Sequence, residues 1–268
     1  MNRADGAPPP SVLVTVNGES QIATLTLNRP EALNAISRQL AAELLAMCNA
    51  LADREDVRVV IVTGAGERAF CAGADLKERR MLSPEERTAH TVAIEAAAEA
   101  LAALPMPTIS AVRGFALAGG AELAIACDLR VAAEDATFGF PEVTIGIFPG
   151  AGGALRLPQI VGAGTARDLL FTGRRVTAAE AFRLGLVDRL VPVDSMLERT
   201  AELAGSIAAN APLAVRAVKR ALKESHGMSI EDARRAVVAL RAPLDDTHDY
   251  EEGLAAFAER RSPRFTGR

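Results

Sequence analysis

Residues 108–133 read TISAVRGFALAGGAELAIACDLRVAA. Thr108–Val112 has the composition of a buried strand, and Gly114 breaks it. Gly119-Gly120 then leads into Ala121–Ala126, an apolar segment of helix-forming residues, and Leu129–Ala132 reads as strand again. Strand, helix and strand in so short a span predict an α/β core.

The flanking segments repeat the alternation. Upstream, Val57–Val62 is a β-branched run of the kind buried on both sheet faces. Ser83-Pro84-Glu85-Glu86 supplies an N-cap, Pro at N1 and Glu at N3, so a helix is expected from there to Leu104. Val12–Val16 and Ile22–Leu27 alternate apolar and polar residues around Asn17-Gly18, a hairpin signal. Between Ser37 and Arg54, Leu40, Leu44, Leu45, Met47 and Leu51 recur at helical spacing. Downstream, Thr177–Glu180 opens a short helix and Leu186–Val191 reads as the last strand. Only helices follow, over about 195–208, 212–224, 229–241 and 249–259. The expected organisation is a disordered, Pro-rich leader (1–10), an α/β core (11–192) and a helical region (193–268). The apolar face of Leu203, Ile207, Leu213, Val218 and Leu222 suits that last region to subunit contact.

Composition narrows the function. The chain has 268 residues, 49% of them hydrophobic, and a net charge of −4, so it offers no general positive field to nucleic acid or an anionic membrane. Aromatic residues are 4%, with no Trp and one Tyr (Tyr250), which is poor for stacking bases. Glu122, Asp128 and Arg130 interrupt the most apolar stretch, Phe115–Ala133, which argues against a membrane span. The odd set Cys48, Cys71 and Cys127 points to a reducing compartment. The opening MNRADGAPPP lacks the apolar run of a signal peptide, so the cytoplasm is expected.

Several common chemistries find no footing. Gly64-Ala65-Gly66-Glu67-Arg68-Ala69 matches G-x-G-x-x-A after a strand, but Phe70-Cys71-Ala72-Gly73 is poor helix-starting sequence, and a dinucleotide site needs a helix there. His90, His226 and His248 read as surface residues, and G-x-S-x-G is absent. No metal-ligand spacing is present, so no metal is expected.

Two loops and two acids remain. One loop ends Cys71-Ala72-Gly73-Ala74-Asp75-Leu76, and the other carries Gly119-Gly120 into a helix. Backbone N–H groups at a helix start are unpaired within the helix and favour an anion or a developing oxyanion. Glu122 stands in an otherwise apolar helix, and Glu142 follows Pro141 among apolar neighbours. If both face one cavity, burial and mutual repulsion raise at least one pKa and allow one acid and one base. Two solvent-facing acids would fit the spacing equally.

Phe70–Lys77, Gly119-Gly120-Ala121-Glu122-Leu123-Ala124, Phe140-Pro141-Glu142 and Pro149–Gly153 together resemble the enoyl-CoA hydratase/isomerase (crotonase) superfamily. Asn28-Arg29-Pro30 with Ala32–Ala35 resembles its N-terminal segment, and Glu252–Phe257 with Glu259-Arg260-Arg261 its C-terminal one. The resemblance implies a crotonase-type spiral of ββα units with a C-terminal all-helical oligomerisation region, assembled as a homotrimer or a hexamer. It implies that the Ala74 and Gly119 N–H groups hold a thioester oxyanion, that Glu122 activates water for C3, and that Glu142 protonates C2. Arg29, Ala72, Asp75, Leu76, Lys77, Gly120 and Arg260 are the implied CoA and substrate contacts. No cofactor is implied, because CoA arrives as part of the acyl-CoA substrate. The run Cys71–Arg79 with Met81 and Ser83 beyond it, Ala126–Ala133 and the stretch around Asp249–Gly253 look most like the methylglutaconyl-CoA hydratase branch, with Arg79 or Arg80 as partner for a distal carboxylate. The alternatives are a general short-chain enoyl-CoA hydratase, an enoyl-CoA isomerase and a non-catalytic RNA-binding relative.

Overall fold

The computed structural model describes residues 9–268. Its strands are β1 (Val12–Asn17), β2 (Ile22–Leu27), β3 (Val59–Gly64), β4 (Ala69–Cys71), β5 (Thr108–Val112), β6 (Phe115–Leu117), β7 (Leu129–Ala133), β8 (Thr137–Gly139), β9 (Arg175–Thr177) and β10 (Arg189–Val191). Its helices are α1 (Arg38–Ala52), α2 (Leu76–Met81), α3 (Pro84–Ala102), α4 (Gly119–Ala126), α5 (Gly153–Thr172), α6 (Ala178–Arg183), α7 (Met196–Ala208), α8 (Pro212–Glu224), α9 (Ile230–Arg241) and α10 (His248–Glu259).

Two sheets form. The larger has the order β1-β2-β3-β5-β7-β10, and the smaller β4-β6-β8-β9. Every pairing is parallel except the β1–β2 hairpin and β8–β9. The chain alternates between them: β3 is followed by β4, β5 by β6 and β7 by β8, with helices after each pair. This is the ββα spiral that the resemblance implied. The short strands β4, β6 and β8 were not expected from residue patterning, and β4 lies inside what reads as one long loop, Gly64–Asp75.

Both faces of the larger sheet are covered. Val60 and Val62 point into the main core with Leu40, Leu44 and Leu101, while Val59 and Ile61 point into a second core with Met196, Leu203 and Ala204. That accounts for the unbroken β-branched run. Burying each such side chain stabilises the fold by about 1.5–3 kcal/mol. Helix α7 therefore packs on the sheet, and Leu203 is not free for a partner. In α8, by contrast, Val218 and Leu222 are exposed, as are Ile230 of α9 and Phe257 of α10.

The helix caps follow the sequence signals. The Ser37 hydroxyl accepts from the Leu40 N–H, and Ser83 with Glu86 forms a reciprocal capping box. Such a cap contributes about 1 kcal/mol. Helix α5 had no expected counterpart. It contains Pro158 and a kink at Gly162 (φ 77°), which break its periodicity. Residues 1–8 of the leader lie outside the description, but Pro9 and Pro10 are anchored by Gln39 and Asn28, which donate to their carbonyls. No described helix is long and apolar enough to cross a membrane.

Candidate active site

The spiral brings Ala72, Ala74, Gly119, Glu122 and Glu142 to one cavity of about 310 Å³. Its walls come from the loop before α2, the β6–α4 junction, the turn Pro141–Ile145 and one face of α3. Both glutamates are buried, at 3% and 6% exposure, so they are not solvent-facing acids.

A strap fixes the first loop. The Ala72 N–H donates to Leu33 O, the Ile36 N–H to Gly73 O and the Asp75 N–H to Ile36 O. Residues 33–36 thus bond to the loop on both sides of Ala74 and leave the Ala74 N–H without a backbone acceptor among the described residues. Asn34, fully buried with φ 55°, accepts from the Arg29 N–H and donates to Ala65 O and Ala69 O, which ties the strap to β4. Gly73 (φ 92°) has to be glycine, because a Cβ there would lie 2.8 Å from Ala118 Cβ and 2.9 Å from Leu117 O.

The second N–H is aimed by strain. Ala118 has φ 50°, unusual for a residue with a Cβ, and its own N–H donates to Gly139 O. Such a conformation costs about 1–3 kcal/mol and persists only where its surroundings impose it. It directs the next residue, Gly119, with its N–H at the start of α4 and no backbone acceptor among the described residues. Two free N–H groups bordering one cavity suit a carbonyl oxygen gaining negative charge.

The carboxyls differ in their partners. Glu122 Oε1 accepts the Gly153 N–H at 2.8 Å. Burial pushes Glu122 up to about 7, opposed by the Gly153 N–H and assisted by repulsion from Glu142. Neither Glu142 oxygen has a hydrogen-bond partner, and burial raises its pKa also. A buried carboxyl without partners favours the protonated form. The pair can hold a base and an acid near neutral pH.

The other expected contacts divide. Ala72 and Leu76 line the cavity. Lys77 is exposed on the first turn of α2. Asp75 caps α2 by accepting the Lys77 and Glu78 N–H groups, and its carboxylate is paired with Arg29 at 3.0 Å. Arg29 also donates to Ala35 O, so both residues are used in holding the strap. Gly120 is not in the cavity wall; a Cβ there would lie 2.0 Å from Cys71 O, so this glycine serves the packing of α4 on β4. Arg260 ends α10, exposed and away from the cavity wall of its own chain. Arg79 lines the cavity and donates to Thr91 Oγ1 at 2.9 Å, whereas Arg80 is exposed and outside the wall.

Patterning missed three features. Arg175 lines the cavity from β9, with its guanidinium 5.8 Å from the centre of the Phe115 ring. Nothing in a three-residue strand announces it. Arg156 of α5 donates to Ala151 O beside the Glu122 partner Gly153. His90 was expected at the surface; it is buried at 1% exposure because its face of α3 packs against Ile36. The three cysteines are buried free thiols, each pushed up to about 12 by burial, so none is a ready nucleophile.

The chain is similar over nearly its whole length to known proteins. Residues 17–268 match the family model described as enoyl-CoA hydratase/isomerase. YngF of Bacillus subtilis (strain 168) is 43% identical over 259 residues, 96% of this chain and 98% of its own. Crotonyl-CoA hydratase of Syntrophomonas wolfei is 38% identical over 252 residues, 94% of this chain and 97% of its own. The crystal structure of enoyl-CoA hydratase from Bacillus anthracis superposes with a TM-score of 0.94 at 40% identity, covering 96% of this chain and 100% of that one.

Proposed function

Because the chain belongs to the enoyl-CoA hydratase/isomerase family, we propose that it adds water reversibly and syn across the C2–C3 double bond of an enoyl-CoA thioester. It is an enzyme of the enoyl-CoA hydratase type. The observation that carries the reaction is the pair of buried glutamates, Glu122 and Glu142, on one cavity with the free N–H groups of Ala74 and Gly119.

In this reading the thioester oxygen accepts from Ala74 and Gly119. Withdrawal of electrons into that oxygen makes C3 electrophilic. Glu122, ionised, takes a proton from water as the water oxygen bonds to C3. The charge passes to the enolate oxygen, and protonated Glu142 delivers its proton to C2. Two such donors in a dry site supply several kcal/mol of stabilisation to the enolate, about 3–4 kcal/mol each by analogy with other oxyanion sites. CoA enters with the substrate, along the exposed side of α2 where Lys77 stands.

The acyl group we propose is a branched one with a distal carboxylate, as in 3-methylglutaconyl-CoA. Support comes from Arg79 and Arg175, two cations on an otherwise largely apolar wall. A short apolar enoyl group is the second reading, favoured by the relative whose name is crotonyl-CoA hydratase. Comparing kcat/KM for 3-methylglutaconyl-CoA and crotonyl-CoA separates them. Preference for the branched acid, lost in Arg79→Ala, supports the first; preference for crotonyl-CoA leaves the second. Exposed apolar residues on α8, α9 and α10 support assembly as a homotrimer or a dimer of trimers. A cytoplasmic location fits three buried, unpaired thiols.

A further inference from the structure

His90 belongs to no part of the mechanism above, yet it touches the residue that organises the two N–H donors. Its Nε2 lies 3.0 Å from Ile36 O, in the interior. The same carbonyl accepts the Asp75 N–H at 2.9 Å, and the Ile36 N–H donates to Gly73 O at 2.8 Å. Ile36 therefore grips the loop immediately before and after Ala74. Its side chain reaches the other donor: Ile36 Cδ1 would lie 3.2 Å from a Cβ placed on Gly119. One residue thus spaces Ala74 from Gly119, and His90 fixes that residue from behind.

The geometry points to His90 as a positioning residue that sets the separation of the Ala74 and Gly119 N–H groups through the Ile36 carbonyl. The inference rests on the hydratase reading, in which those groups hold the thioester oxygen. Ile36 O can accept only from an N–H, so the ring must carry its proton on Nε2. That leaves Nδ1 as a bare lone pair, and Nδ1 is buried without a partner. A neutral ring is what this site tolerates: burial lowers the pKa of His90, offset in part by its bond to Ile36 and by Glu78, while Arg79 and Arg38 add to the lowering. A phenylalanine would fill the same space with no donor. The imidazole donor is therefore the feature to be tested, apart from its bulk.

The test uses the full chain, with crotonyl-CoA as probe, and compares wild type with His90→Phe and His90→Gln. The expected result is a kcat lower by roughly tenfold or more in His90→Phe, because small displacements of reacting groups are costly. KM should stay within about threefold, and His90→Gln, which keeps an N–H donor of similar reach, should recover most of the rate. A His90→Phe enzyme with wild-type kcat overturns the proposal, as does a His90→Gln enzyme no better than His90→Phe. Nitrogen NMR of wild-type protein labelled at histidine gives a readout independent of turnover and of variant folding. A neutral Nε2–H ring for His90 is expected; an Nδ1–H ring overturns the proposal. Absence of hydration by wild type would instead count against the hydratase reading, leaving the tautomer to decide the hydrogen bond itself.

Discussion

The Gly153 N–H donates to Glu122 Oε1 at 2.8 Å, so the first residue of α5 orients the acid of α4. This bond favours the ionised form, but burial outweighs it and holds Glu122 up at about 7. A base must be ionised to take a proton from water. The hydration rate, as kcat/KM, should therefore fall as pH drops below about 7, approaching tenfold per unit. Glu142 must be protonated to act as the acid, and burial raises its pKa, so the rate should fall again once pH rises far enough to ionise it. A pH profile of crotonyl-CoA hydration checks both. A flat profile from pH 5 to 8 would contradict the assignment of Glu122.

The same burial makes a prediction about stability. Glu122 titrates near 7 when folded and near 4.5 when unfolded. Between those values the folded protein holds a proton that the unfolded chain has released, so stability falls as pH rises through the window. Above pH 7 the ionised, buried carboxylate costs about 3 kcal/mol. Glu122→Gln removes that cost while losing activity. Its Tm should exceed that of wild type at pH 8, and the gain should shrink toward zero as pH falls to 4.5. Thermal unfolding at several pH values measures the difference.

Three glycines should respond in three ways. Gly73→Ala meets Ala118 and Leu117 at under 3 Å and forces a positive φ on alanine. It should destabilise by about 1–3 kcal/mol and displace the neighbouring Ala74 N–H, cutting kcat. Gly120→Ala drives a Cβ against the Cys71 backbone and should cost at least as much, with poor yield of folded protein. Gly205→Ala, in α7 with open space around it, should stabilise by about 0.5–1 kcal/mol and leave turnover unchanged. Denaturant unfolding with steady-state kinetics distinguishes them.

How much of this was legible in the sequence depends on length and contact. β1, β2, α1, α3 and the four C-terminal helices α7–α10 are long or well capped, and their periodicity shows them. β4, β6 and β8 have three residues each, too few for a pattern, although the second sheet that shapes the cavity is built on them. The glutamates stand out because an acid in an apolar run needs a reason. Gly119-Gly120 reads as one unit, yet only Gly119 borders the cavity while Gly120 is packed on Cys71. His90 and Asn34 are invisible locally, since their partners Ile36, Ala65 and Ala69 come from other segments. Arg29 and Asp75 are likewise joined only by folding.

That Arg29–Asp75 pair should matter more than a surface ion pair. Both side chains are mostly buried, and Arg29 also holds Ala35 O. Burial raises the Asp75 carboxyl, but the Glu78 N–H and Arg29 outweigh it and keep the group below the usual carboxylate range. The stabilisation is present at neutral pH and is lost as pH falls through the folded pKa. Arg29→Ala should lower stability at pH 7 by about 1–3 kcal/mol, with a smaller loss in strong acid. It should also reduce kcat by loosening the strap. Urea unfolding of wild type and Arg29→Ala over a series of pH values from 7 down into strong acid checks the direction.

In the proposed reaction Glu122 and Glu142 together add water to an enoyl thioester held by Ala74 and Gly119. Its most direct test is the turnover of crotonyl-CoA by wild type, Glu122→Gln and Glu142→Gln, each confirmed folded. Hydration by wild type is expected, with a fall in kcat of about 10²–10⁴-fold in either variant and KM changed only a few-fold. A variant of either glutamate that keeps the wild-type kcat would contradict it.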